Sequence, residues 1–299
     1  MPLKICYPDL VSNSYFPAVA AVELGFFEQE GIDAVHELVF PVPASFAALR
    51  DGSVDMVAGS SHAPLWAFPR WEGSKLLCAL SHGMYWFLVV RNDLPIEKGD
   101  LNGLKGLRLG AAPGVDTGLK AMLRAGGIDI EAEGIEIGLP PKGIPPGVSF
   151  GVAAAQALIG MGAEVAITSG IAKCIIDVRR GDGPKAAFNF TQPGLITTQK
   201  LIDEQPEVAA GAVRAIAATL AALKEDLSLA TRVGEKLFPK KEADLIARLI
   251  ERDLPYYSTV VSEEFVEGMN AFAQDAGLLE GGPVPYDDIV ATQYRDLWR

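Results

Sequence analysis

Short apolar runs of strand length alternate with segments of helical period through the first 125 residues, and that alternation restricts the chain to folds built on parallel strands joined by crossover helices. Residues 3–7 read as a strand, 8–14 as a loop with N-cap candidates, and 15–30 as a helix closed by Gly31. Residues 34–40 predict a second strand, 43–50 a short helix opening near Ser45, and 54–58 a third strand. Further strands are expected at 76–80, 86–90, 107–110 and 135–139, with a helix over 114–125. The Gly/Pro-rich residues 140–149 predict an irregular connection; 152–159 then read as a helix, and 164–167 and 186–190 as strands. From Pro206 the period is helical, over 208–230, 240–254, 262–276 and 286–297.

Charge narrows the partners. Asp and Glu outnumber Lys and Arg by 38 to 26, for a formal charge of -12, and no basic run occurs, so nucleic acid and anionic membrane surfaces are poor partners. Small anions remain possible, because helix N-termini bind them even in acidic proteins. Cys6, Cys78 and Cys174 are widely spaced and form no C-x-x-C pair. The start, Met1-Pro2-Leu3-Lys4-Ile5, carries no charged and apolar leader, so a cytoplasmic protein or a periplasmic one with its signal removed is expected. No membrane insertion is expected, since the Ala-rich residues 208–223 are interrupted by Gly211 and Arg214.

Five segments in order carry a resemblance: AVAAVELGFFEQEGI at 18–32, AALRDGSVDM at 47–56, LNGLKGLRLG at 101–110, AAAQALIGMGAEVA at 153–166 and DEQPEV at 203–208. Together they resemble the periplasmic-binding-protein-like type II proteins of the sulfonate, taurine, nitrate and thiamine-pyrimidine binding group. The resemblance implies an α/β fold of two lobes with two crossovers and a C-terminal helical tail. Lobe one would be 1–90 plus 196–299, and lobe two 91–195. It further implies a solute-binding protein of an ABC-type importer, with hinge closure on a small organic ligand, an ABC permease as partner if exported, and no cofactor. Some proteins of this fold are enzymes, so a cytosolic lyase or decarboxylase with His62 as acid/base is the alternative. The cysteine that desulfinases carry after the first strand is missing, as is the cysteine-rich motif of the pyrimidine synthases.

Ligands of open α/β sheets bind outside the carboxyl ends of the strands. The candidate contacts are therefore the loop residues Ser12, Asn13 and Tyr15 after the first strand, Ser45 before the second helix, and Ser60, Ser61 and His62 after the third strand. His82 and Tyr85, with Trp86, lie near the first crossover, where an aromatic ring can stack on a flat ligand. In the second lobe the candidates are Thr117, Ser149, Thr168 and Ser169, and Phe188, Asn189 and Phe190 form a further aromatic group. Each serine or threonine can equally cap a helix. Asp116 disfavours an anion beside Thr117, and Arg70 and Arg91 are the cations that could reach the cleft. A Cys78–His82 nucleophile pair is excluded in an extended strand, where four residues at ~3.3 Å each separate them by roughly 13 Å. No histidine spacing suits a metal.

Overall fold

Strand β1 (Leu3–Tyr7) lies parallel to both β2 (Ala34–Leu38) and β3 (Met56–Ser60), as the alternation requires. Its second half, Ile5 to Tyr7, is buried because both of its edges are paired and helices cover both faces. The computed structural model describes residues 2–9, 13–138, 155–238 and 240–298. The helix expected over 15–30 is two, α1 (Phe16–Glu23) and α2 (Phe26–Gln29), because Gly25 takes φ 78° and breaks the run. Helix α3 (Val42–Arg50) then leads to β3.

Two five-stranded sheets form among the described residues. The first is completed by β4 (Ser74–Ala79) and β10 (Pro193–Thr198), in the order β2-β1-β3-β10-β4, with β10 antiparallel to both neighbours. The second holds β5 (Trp86–Arg91), β6 (Arg108–Gly110), β7 (Glu136–Gly138), β8 (Ala155–Ile159) and β9 (Ala172–Asp177), ordered β7-β6-β8-β5-β9. Helix α4 (Val115–Ala125) follows β6, and α5 (Gly160–Thr168) follows β8.

Three expectations in the second half of this sheet are corrected. Residues 155–159, expected as helix, are strand β8; residues 164–167, expected as strand, lie inside α5; residues 186–190 fall largely in the 3-10 turn Lys185–Asn189. The segment 155–168 is almost wholly apolar or small, so it has no polar face whose period could separate strand from helix. Residues 140–149 lie outside the described residues.

The tail comprises α6 (Gln199–Glu204), α7 (Pro206–Glu225), α8 (Ser228–Leu237), α9 (Lys240–Asp253), α10 (Glu263–Asp275) and α11 (Tyr286–Ile289). Helix α7 opens on a proline, where a missing N–H costs nothing, and stops at Asp226, whose carboxylate accepts from the Ser228 N–H at 2.9 Å and starts α8. By length and composition α7 could cross a membrane, yet more than half of it is buried against the protein, including α1 and α2, and Arg214 pairs with Glu30 at 2.7 Å. Helix α9 lies against α5, where the buried Glu164 carboxylate meets Arg248 and Arg252 at 3.4 and 3.5 Å.

Among the described residues the chain passes between the sheets twice, through residues 80–85 and 178–192. Among the described residues strand β5 pairs only within the second sheet. Both passages leave from the carboxyl ends of strands, β4 and β9, so these edges of the two sheets face a common space.

Candidate functional site

That common space is a cavity lined from both sheets. Pro8 and Asp9 come from the end of β1, Phe40 from the end of β2, and Ser60 and His62 from the end of β3. Tyr85 comes from the first passage and Trp86 from the start of β5, and Ala112 to Val115 from the turn between β6 and α4 and the first residue of that helix. Its free volume is about 50 Å³.

A chain of hydroxyls forms one wall. Tyr85 lies 2.9 Å from the Tyr15 hydroxyl and 2.6 Å from Ser60 Oγ, all three buried. Three O–H groups share two hydrogen bonds, so one O–H remains to donate outside the chain. Burial, the largest cause for each, pushes both tyrosines above their ordinary range, which keeps them protonated donors. The rings pack edge to face, Tyr15 on Tyr85 at 5.9 Å and Tyr85 on Trp86 at 6.0 Å.

His62 forms the opposite kind of surface. It is 1% exposed, set edge-on to Trp66 at 5.3 Å and to Phe272 of α10 at 5.1 Å, and neither ring nitrogen has a hydrogen-bond partner among the described residues. Burial without a countercharge pushes its pKa down to about 3, so it is neutral at physiological pH and offers one donor and one acceptor.

Behind Tyr85 a buried polar cluster joins the two passages. Arg179, from the second passage, donates to Ser81 Oγ and, at 3.0 Å, to the His82 carbonyl of the first. Its guanidinium pairs with Asp253 of α9 at 3.1 Å and sits 5.9 and 5.4 Å from the rings of Tyr85 and Tyr256. Asn13 donates to the same Asp253 carboxylate, and the Tyr256 hydroxyl donates to the Arg179 carbonyl at 2.8 Å. A buried charge is tolerated when paired and hydrogen-bonded, as here.

Of the residues expected from the sequence, Tyr15, Ser60, His62 and Tyr85 line the cavity together. Asn13 belongs to the Arg179 cluster; Ser61 donates to the Gln192 carbonyl at 2.8 Å, and Ser45 to the Val39 carbonyl at 2.7 Å. His82 is half-buried and meets Arg179 through its backbone; burial and the Arg179 charge lower its pKa. Thr117 is half-buried in the first turn of α4, outside the lining. Thr168 and Ser169 are exposed at the end of α5 and donate to its carbonyls. Ser12 and Ser149 lie outside the described residues. Arg70 donates to the carbonyls of Glu280 and Gly282, and Arg91 pairs with Asp93, so neither turns inward.

Sequence reasoning missed Asp9, Phe40 and Trp66. Asp9 and Phe40 sit at strand ends, which is the signal that could have found them; Asp253 is 240 residues from Asn13 and carried none.

No protein-family model matches the chain, and no curated protein sequence does. Solved structures match it over nearly its full length. A protein of Bordetella bronchiseptica RB50 superposes with a TM-score of 0.78 at 19% identity, covering 99% of this chain and 96% of that one. The alkanesulfonate-binding protein SsuA from Xanthomonas axonopodis pv. citri, bound to MOPS, gives 0.72 at 15% identity, covering 96% and 97%. The periplasmic nitrate-binding protein NrtA from Synechocystis PCC 6803 gives 0.73 at 14%, covering 99% and 88%. With both sheets, both passages and the cavity at the strand ends in place, the chain has the two-lobed α/β fold of the periplasmic binding proteins of the sulfonate and nitrate type.

Proposed function

We propose that the protein is a solute-binding protein of an ABC-type importer, taking up a small organic molecule between its lobes by hinge closure. The observation that carries this reading is the cavity itself: the carboxyl ends of strands from two separate sheets converge on one small space lined by aromatic rings and hydroxyls. At about 50 Å³ the space is far below the ~300 Å³ of an ordinary ligand pocket, so a ligand enters only when the lobes part. We take the lobe boundary to run through residues 80–85 and 178–192 instead of 90 and 196, with the Arg179 cluster as the hinge. The sulfonate- and nitrate-binding proteins among the similar structures support a binding role, and an ABC permease as partner is part of the same proposal.

The reading of His62 as a catalytic acid/base draws no support from its surroundings. A neutral imidazole set among Trp66 and Phe272, with no carboxylate to hold a proton on it, is a poor general acid at neutral pH. A thermal-shift screen of sulfonates, aromatic carboxylates and pyrimidines, followed by chemical analysis of each hit after incubation, tests the proposal. Stabilisation by a ligand recovered unchanged is expected; turnover of a hit that disappears in His62→Ala would overturn it.

A further inference from the structure

We infer that His62 is the polar anchor of the ligand: the bound molecule carries a hydrogen-bonding group that pairs with this imidazole beyond the end of β3, and the pairing decides which molecules the cleft retains. The inference rests on the solute-binding reading above and names the contact that selects the ligand.

The three histidines of the chain differ in what the fold supplies them. His36 shares a 2.7 Å hydrogen bond with Glu23, and the Gln192 side chain bonds His82. His62 is 1% exposed, yet neither Nδ1 nor Nε2 has a hydrogen-bond partner among the described residues. The rings set against it, Trp66 at 5.3 Å and Phe272 at 5.1 Å, meet it edge to face. A buried polar group left without a partner weakens the folded protein. The fold nevertheless holds this one in the cavity wall, beside Trp66 and Ser60.

The hydroxyls of the same wall need nothing from a ligand. Tyr15, Tyr85 and Ser60 bond one another at 2.9 and 2.6 Å, so a molecule that ignores them leaves no hydroxyl oxygen alone. A molecule that ignores His62 leaves its deficit in place. One that offers a carbonyl, a ring nitrogen, an amine or an acid group to either nitrogen removes the deficit and gains a bond shielded from water. The imidazole is uncharged, so it accepts on one nitrogen and donates from the other. A site built around such a group rejects analogues that lack the matching one more strongly than an apolar pocket rejects a misfit.

A ligand anchor of this kind lowers the stability of the protein that carries it, whereas a structural histidine raises it. His62→Phe removes both unpaired nitrogens and keeps a ring against Trp66 and Phe272. Urea denaturation of the ligand-free proteins at neutral pH should therefore give a higher midpoint for His62→Phe than for the parent. Titration calorimetry with MOPS, benzoate and cytosine, a sulfonate, an aromatic carboxylate and a pyrimidine, should show the opposite effect on binding: a probe that binds the parent weakens by at least about tenfold in the variant. His62→Leu, closer to histidine in volume, should change both in the same directions and serves if the larger ring does not fold. Nuclear magnetic resonance of the unaltered protein carrying isotope-labelled histidine follows the His62 ring nitrogens, and saturation with that probe should shift them. A lower midpoint in the variant that folds, an affinity within about twofold of the parent, or ring nitrogens unmoved on saturation each overturns the inference and leaves the solute-binding reading standing. Binding of none of the three probes overturns both.

Discussion

Tyr85 holds the site together at the scale of single residues, because its hydroxyl is the middle member of the chain from Tyr15 to Ser60. Tyr85→Phe leaves two buried hydroxyls short of a partner, and an unsatisfied buried group costs about 1–3 kcal/mol. Urea denaturation should show a loss of that size, with the midpoint lowered and the slope unchanged. His62 sets a pH dependence. Its folded pKa, about 3, lies below the unfolded value of 6.5, so the unfolded chain takes up a proton that the folded one refuses. Stability from this group is therefore full above pH 6.5 and falls as the pH drops from 6.5 towards 3, by about 2 kcal/mol at pH 5. His62→Phe keeps an aromatic ring between Trp66 and Phe272 without the proton, so its stability should fall less between pH 7 and pH 5 than that of the unaltered protein. Tyr15, Ser60, His62 and Tyr85 were legible in the sequence because each lies where a strand ends. Asp9 was hidden by its place in what read as an ordinary turn, and Ser45 and Ser61 were misleading because a hydroxyl that satisfies a carbonyl looks the same in sequence as one that meets a ligand.

Among the elements, α4 and the two passages decide the shape of the cleft. Gly118 in α4 is packed so closely by Trp86 that an added Cβ would stand 1.5 Å from Trp86 Cζ3. Gly118→Ala should force Trp86 from its place in the cavity wall, at a cost of about 1–3 kcal/mol, and shift the tryptophan emission. An emission maximum and a stability equal to those of the parent protein would mean that Trp86 is not held there. The buried Arg179–Asp253 pair makes a second prediction: Arg179→Met or Asp253→Leu alone should each cost about 3–5 kcal/mol, by stranding a buried charge, and the two together should cost less than their sum. Chemical denaturation of the four proteins measures this coupling, and strict additivity would remove the pair from the hinge. The strands and helices of residues 3–125 were readable because polar residues alternate with apolar ones there. Over 155–168 polar residues are too few to mark a face, and whether it runs as β8 and α5 or the reverse is settled by pairing with β5, a contact no local pattern encodes.

In the whole molecule, the five dispersed segments foretold two lobes and two passages, but not where the passages run. Their course depends on β5 joining the second sheet and on α9 reaching across to Glu164, both of them long-range contacts. The central claim is that these lobes part and close on a ligand. Small-angle X-ray scattering of the protein alone and saturated with a ligand found in the thermal-shift screen tests that most directly. A smaller radius of gyration in the saturated protein is predicted; tight binding with an unchanged scattering curve would contradict closure and mean a rigid site.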